Sequence, residues 1–394
     1  SKLTREQIRI ARDLRSAFID YLIPVMPLVT DDIQVVTRTF KRINSAGTPM
    51  SDLHMARALA WGKDFDLIEE IDKMKEQLSD LGWREVDTDV VLKVVATAAG
   101  LEPTDFDVEA LAKDLVERRG VERGTPLGDS LVVLRVVIEV LGEMGIAGPK
   151  LLPGLYALVV PSAALLVGLR ARLPIDNRGT RDALAAWLAP HLLAEHLTGT
   201  SPHTIRKYRR ELEAILGYGK AGATRTSGAI KVQECMKFNL AWSRSRVTAV
   251  VLAEQHPQRS DGNPLDGPAE LAARGNAAVS QFLLPDAPGI QKVDSGRLRE
   301  SSTLTSALAH PANRIIAEEK DVATLRKLLL YGQPSNALLQ SHLISLDAYK
   351  ALQQRTFHRF FELRRKAIRQ AELDWVKQHG GEAPSFPKTT ELWR

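Results

Sequence analysis

The sequence predicts a mainly α-helical, multi-domain chain with a small α/β element near its start. Apolar residues recur every three to four positions through most of the chain, and capping residues flank many of these runs. Only Tyr21–Val29 (YLIPVMPLV) has the composition of a strand, and its two prolines exclude it from the centre of a sheet. A chain of 394 residues has room for two or three domains and a sizeable core.

The first predicted elements lie within residues 1–52. Helical spacing over Ile8–Ile19 predicts an amphipathic helix, and the strand-like segment follows it. The next segment, Asp31–Asn44, begins with an Asp and a Gln in the spacing of a capping box and keeps its apolar residues on one face. A loop ends this helix, and Ser51 is the predicted N-cap of the next one.

Helical periodicity continues through the rest of the chain. Asp129 and Ser201 precede apolar runs as predicted N-caps, while Gly145 and Gly217 follow two runs as predicted helix ends. The strongest helical segments are Val86–Gly100, Asp129–Gly145, Thr180–Leu197, Ser201–Gly217 and the pair of helices in Leu346–Gly380.

A domain boundary is predicted in the second half of the chain. The stretch Gln255–Pro268 (QHPQRSDGNPLDGP) is polar and rich in turn residues, as linkers and inserted loops are. We therefore expect three regions: an α/β element in residues 1–52, a helical domain in residues 53–254 and a helical C-terminal domain in residues 255–394.

Composition predicts a cytoplasmic protein without a membrane partner. Apolar residues make up 44% and charged residues 26%, an ordinary balance for a globular domain. The most apolar stretch, Leu151–Leu169, holds two prolines and two interior glycines, which favours a buried helical hairpin over a membrane span. The opening SKLTREQ has no apolar core typical of a signal peptide. The single cysteine, Cys235, excludes an internal disulfide framework and fits a reducing compartment.

Positive charge points to a polyanionic partner. The net charge is +5 and the sequence pI is about 9.2. Basic clusters occur at His203–Arg210 (HTIRKYRR) and Arg364–Arg369 (RRKAIR). The first cluster forms either a phosphate-binding stripe with Tyr208 as a stacking aromatic, or a solvated helix face whose Tyr208 turns inward. The candidate contacts to the DNA backbone are Arg206, Lys207, Arg209, Arg210, Arg364 and Arg365.

The stretch Phe40–Asp52 (FKRINSAGTPMSD) is a second candidate anion site. It presents backbone amides and hydroxyls immediately before a new helix, an arrangement that favours phosphate. Alternatively, its polar residues only brace the turn. The candidate phosphate- or nucleotide-binding residues are Arg42, Asn44, Gly47 and Thr48.

Other motif matches are weak, so no metal site is predicted and no cofactor is evident. His191 and His196 are five residues apart, about 140° around a continuous helix, which does not suit a shared zinc ion. Gly217–Gly222 (GYGKAG) matches a dinucleotide-binding pattern in letters, but a helical segment precedes it where that pattern needs a strand.

The segment Phe40–Leu59 (FKRINSAGTPMSDLHMARAL) resembles the signature F-x-R-[IL]-N-x-x-G-x-P-[LM]-[ST] of the GmrSD-type family. Members of this family are modification-dependent restriction and anti-phage proteins. Their N-terminal domain is ParB-like and of nuclease or nucleotide-hydrolysing type. Looser resemblance to the family covers Arg181–Ile215, His310–Ile344 and Phe357–Ile368. The resemblance implies that residues 1–52 end a ParB-like domain, and that Mg²⁺ or a nucleotide binds in the full-length protein.

Two departures from the family pattern bear on catalysis. The acidic DGQQR motif of the family lies far upstream of the RIN step, whereas only 41 residues precede Arg42 here and no DGQ occurs. We therefore expect this chain to be either the remainder of a longer protein or a natural form that lacks half of its first domain. Many relatives also carry a C-terminal HNH nuclease module, but Gln281 or Phe282 occupies the position of its general base, and neither side chain takes up a proton. The remaining catalytic candidates are His310, Asn313 and His342.

Together these features lead to one hypothesis and two alternatives. The hypothesis is that this chain is part of a GmrSD-like defence protein. In this hypothesis the chain binds DNA or nucleotide phosphates and is not a complete nuclease by itself. Its expected partners are DNA and either the missing N-terminal domain or a partner nuclease subunit. One alternative is a non-catalytic helical scaffold for protein interactions. The other is an active HNH-like nuclease that uses His310 and His342.

Overall fold

The structure, a computed structural model, describes residues 4–20, 27, 29–30, 35–36, 39, 51–60, 65–199, 201–219, 230–284 and 308–386. Within these ranges the chain forms fifteen α-helices and one two-stranded sheet, which confirms the mainly α prediction. The helices are α1 Arg5–Ile19, α2 Asp52–Ala60, α3 Leu67–Glu76, α4 Thr88–Ala98, α5 Val108–Glu117, α6 Pro126–Glu143, α7 Tyr156–Arg170, α8 Arg178–Leu193, α9 Pro202–Ile215, α10 Ser243–Ala253, α11 Gly267–Arg274, α12 Glu319–Tyr331, α13 Asn336–Ser341, α14 Leu346–Gln353 and α15 Phe357–Gln378.

The chain divides into two compact units, Ser1–Ser51 and Asp52–Arg394. In the first unit, helix α1 begins with a capping box in which Thr4 and Gln7 each accept the other's backbone N–H. No side chain of α1 is buried. The predicted strand Tyr21–Val29 and the predicted helix Asp31–Asn44 lie mostly outside the described residues.

The core of the second unit is built around α7. Helices α4, α6 and α9 pack against it, and almost all of its side chains are buried because the helix is apolar on every side. The predicted hairpin over Leu151–Leu169 is wrong, since a single helix runs through Pro161. Pro161 removes one intrahelical hydrogen bond. Burial of the surrounding side chains offsets that loss.

Most of the predicted helix ends are confirmed. Ser201 caps α9, and Gly145 and Gly217 have left-handed φ values of 81° and 72° just beyond their helices. The prediction for Asp129 is wrong, because α6 begins earlier, with Thr125 as N-cap and a proline in the first turn. The Asp129 carboxylate instead accepts the backbone N–H of Gly124.

The last helix, α15, packs against α8 and α10. A buried ion pair joins α10 to α15: the Arg244 guanidinium donates two hydrogen bonds, of 2.8 and 2.5 Å, to the Glu372 carboxylate. Thr248 donates a further hydrogen bond to the same carboxylate at 2.8 Å. These contacts join residues on the two sides of the predicted domain boundary at residues 254/255. The division into domains at that boundary stays a prediction.

The sheet consists of β1 Val279–Gln281 and β2 Arg314–Ile316, paired antiparallel. A short 3₁₀ turn at Pro311–Asn313 leads into β2. Among the described helices, none combines the length and the apolar character that crossing a membrane requires.

Candidate nucleic-acid interface

Helix α9 carries the first predicted basic cluster. Its N-cap, Ser201, accepts the backbone N–H of Thr204, and Pro202 occupies the first helical position, where its missing N–H costs nothing. Ile205 and Leu212 are fully buried against the core. Because these residues are seven positions apart, they fix one face of α9 inward and leave the opposite face to solvent.

The outward face of α9 is basic. His203, Lys207 and Arg210 are exposed and lie on one side of the helix, at positions i, i+4 and i+7. Arg206 lies beside them and is partly exposed. Within the described ranges, Arg206, Lys207 and Arg210 form no ion pair with a carboxylate. Their charges are therefore available to an external anion.

Arg209 has a different role from its neighbours. Its guanidinium lies 3.5 Å from the Glu102 carboxylate and 3.2 Å from that of Glu213. Burial raises the pKa of Glu213, and the charge of Arg209 opposes that shift. Arg209 thus ties α9 to the rest of the fold and neutralises the two carboxylates beneath the basic face.

Tyr208 faces the protein interior, as in the second alternative for this cluster. Its ring is stacked on that of His196, with centroids 5.6 Å apart and an interplanar angle of 14°. The rings of His191 and Trp187 lie 5.0 and 6.3 Å away. Burial raises the pKa of the Tyr208 hydroxyl. The phenol ring therefore packs against α8 and the turn that follows it, and it is not exposed on the basic face.

Sequence reasoning missed the approach of the two histidines. The angle of about 140° assumed a continuous helix, but α8 ends at Leu193, and Glu195 then adopts a φ of 59°. This turn places the ring centroids of His191 and His196 5.2 Å apart. Burial lowers the pKa of His191 to about 3, and neither ring nitrogen has a hydrogen-bond partner. In the part of the chain that the structure describes, no three His, Cys, Asp or Glu side chains are arranged to hold a metal ion.

Arg364 and Arg365 do not fit their predicted role as DNA contacts. Their exposed fractions are 1% and 5%, and both lie on the inner side of α15. Arg364 donates hydrogen bonds to the backbone carbonyls of Ala312, Arg314 and His342. Arg365 lies 3.2 Å from the Glu234 carboxylate. These guanidinium groups crosslink the fold, and burial leaves neither accessible to a phosphate.

The catalytic candidates lie near the same crosslink and are also buried. The Asn313 amide accepts the N–H of Leu283 at 2.7 Å and donates to the Leu283 carbonyl at 2.9 Å, so it clamps the end of β1 beside the start of β2. His310 Nδ1 accepts the N–H of Ala312, and His342 Nε2 lies 2.9 Å from a backbone carbonyl. Burial lowers the pKa of His310 to about 3 and that of His342 to about 4.

The predicted general-base position offers no base. Phe282 is fully buried, with its ring centroid 5.4 Å from that of Phe360. The backbone carbonyl of Gln281 accepts a hydrogen bond of 2.7 Å from Arg326. Phe282 is therefore part of the packed core, and neither it nor Gln281 supplies a general base.

The candidate loop residues Arg42, Asn44, Gly47 and Thr48 lie outside the described residues. Of the predicted phosphate contacts that the structure describes, Arg206, Lys207 and Arg210 are accessible without an ion pair. No protein-family model and no curated protein matches the sequence.

Proposed function

We propose that this chain is part of a GmrSD-like restriction or anti-phage defence protein and binds the DNA backbone through the outward face of α9. The observation that carries the proposal is the row of exposed basic side chains at His203, Lys207 and Arg210, with Arg206 beside it. Contacts of this kind bind phosphate and steer the complex without reading base sequence.

The setting of α9 favours a phosphate contact over an internal ion pair. Buried Ile205 and Leu212 fix the helix, so the exposed side chains need little backbone ordering when they bind. Arg209 compensates the nearby Glu102 and Glu213 carboxylates, which would otherwise weaken the positive potential of the outer face.

The proposal assigns no hydrolysis step to this chain. In it, the C-terminal region is a degenerate HNH-like module that serves as scaffold, which is supported by the burial of Phe282, His310 and His342. In the proposal, Arg42, Asn44, Gly47 and Thr48 would contribute to a phosphate or nucleotide site.

Fluorescence anisotropy with labelled duplex DNA at about 50 mM salt tests the proposal. We expect wild-type binding that the double variant Lys207→Ala/Arg210→Ala weakens by about tenfold or more, because two phosphate contacts are lost. The matched control is Arg359→Ala/Lys366→Ala, which removes the same charge from exposed positions on α15. A scaffold for protein interactions, the alternative function, predicts no duplex binding, and that result would reject the proposal.

A further inference from the structure

Trp242, which immediately precedes α10, is unusually exposed. Trp83, Trp187 and Trp375 are each at most 5% exposed, whereas 48% of Trp242 remains accessible to solvent. A tryptophan whose side chain is about half exposed lacks much of the stabilisation that full burial of its large apolar surface would give. Exposed tryptophans are also enriched among the residues that dominate binding energy. The position of Trp242 is therefore more typical of a contact residue than of a core residue.

The turn that presents Trp242 is held rigidly. The backbone N–H of Trp242 donates to the carbonyl of Asn239 at 2.9 Å, and the Asn239 amide oxygen accepts the N–H of Ala241 at 2.9 Å. The Asn239 N–H in turn donates to the hydroxyl of Ser245 in α10 at 3.0 Å. An aromatic side chain on such a fixed turn binds a partner without a large cost in chain entropy.

A lysine lies close to the ring of Trp242. The ammonium of Lys237 lies 6.0 Å from the centroid of the Trp242 ring, and the Lys237 side chain is exposed. Within the described residues, Lys237 forms no ion pair with a carboxylate. The carboxylate of Glu234, three residues before Lys237, is occupied by the buried guanidinium of Arg365. An aromatic ring beside an uncompensated lysine complements a nucleic acid, whose bases stack and whose phosphates attract cations.

This turn lies close to α9 in the fold. The backbone N–H of Arg244, two residues after Trp242, donates to the Glu195 carboxylate at 3.1 Å. The residue that follows Glu195 is His196, whose ring stacks on Tyr208 of α9. The start of α10 and the basic helix are thus joined through the single turn that follows α8.

We infer that Trp242 and Lys237 form a stacking platform for an unpaired base of single-stranded nucleic acid. The inference rests on the nucleic-acid binding of the proposed function and specifies a single strand as the substrate class. The indole stacks on the face of a base, and the Lys237 ammonium contacts an adjacent phosphate. Because every base has an aromatic face, the platform tolerates sequence and selects unpaired over paired nucleotides.

Binding of an oligothymidylate of about twelve nucleotides, compared with binding of a duplex, tests the inference. We expect Trp242→Ala to weaken single-strand binding by about five- to 150-fold, the range for loss of one stacked base, and Trp242→Phe to retain most of the affinity. Duplex binding by Trp242→Ala should stay within about twofold of wild type, because α9 is intact. The control Tyr331→Ala, which removes a 60%-exposed aromatic side chain from α12, should change neither affinity.

The outcomes separate this inference from the proposed function. If duplex binding depends on Lys207 and Arg210 but Trp242→Ala binds the single strand like wild type, the platform is refuted and the function stands. The same result is expected if Trp242 serves a protein partner instead. If only single-strand binding occurs and depends on Trp242, the platform stands and the duplex contact of α9 fails. Absence of binding to both nucleic acids refutes both.

Discussion

Acid should destabilise this protein through three buried neutral histidines, His191, His310 and His342. Burial lowers their pKa values to about 3, 3 and 4, from an ordinary value of 6.5. Between these native values and 6.5, the unfolded chain binds more protons than the folded chain. Stability is therefore lost as the pH falls through this window, and it is fully present only above the unfolded pKa.

The size of the effect follows from these pKa values. At about pH 5 an unfolded histidine is almost fully protonated while the native one stays neutral, which costs about 2 kcal/mol for each residue relative to pH 7. Three such residues together cost about 6 kcal/mol, comparable with the whole stability of many domains. Half-buried glutamates with raised pKa values, such as Glu213 and Glu234, act in the opposite direction. A variant is therefore needed to isolate the histidine contribution.

His191→Leu isolates one histidine at similar side-chain volume. Urea unfolding should show that this variant loses about 2 kcal/mol less than wild type between about pH 7 and pH 5. At neutral pH it should be no less stable, because two unsatisfied ring nitrogens are removed. The control His203→Gln changes an exposed histidine of α9. Parallel stability–pH curves for His191→Leu and wild type would refute the reasoning.

Two further stability predictions follow from packing. Glu372→Ala leaves the buried Arg244 guanidinium without its carboxylate and should cost about 3 to 5 kcal/mol in urea unfolding; a loss below about 1 kcal/mol would contradict the assigned ion pair. Gly128→Ala places a Cβ 1.9 Å from a backbone carbonyl oxygen and should lower Tm strongly, whereas Gly142→Ala, with no atom within 4 Å, should stabilise α6 by about 0.5 to 1 kcal/mol. Equal effects of the two alanines on Tm would contradict the packing of α6.

Local sequence patterns predicted the elements that depend on neighbouring residues. Helix α9 was recognisable because Ser201 can cap its start, Gly217 can adopt a left-handed φ at its end, and apolar residues recur at helical spacing between them. The basic character of its outer face follows from the same periodicity, since buried Ile205 and Leu212 determine which side chains face solvent.

Features that depend on distant residues were not predictable in this way. Arg364 belongs to a run of basic residues that suggests a solvated face, yet its hydrogen-bond acceptors are carbonyls about 20 and 50 residues earlier in the chain. The approach of His191 to His196 depends on the left-handed conformation of Glu195, which no sequence pattern signals. Exposure of Trp242 likewise depends on how the preceding turn packs against α10.

The salt dependence of duplex binding tests the central claim most directly. Each phosphate contact contributes about −0.9 to the slope of log K against log salt concentration. We predict that Lys207→Ala/Arg210→Ala lowers the magnitude of this slope by about 2 relative to wild type, while Arg359→Ala/Lys366→Ala leaves it unchanged. Equal slopes for wild type and both double variants would show that α9 does not contact DNA and would contradict the account.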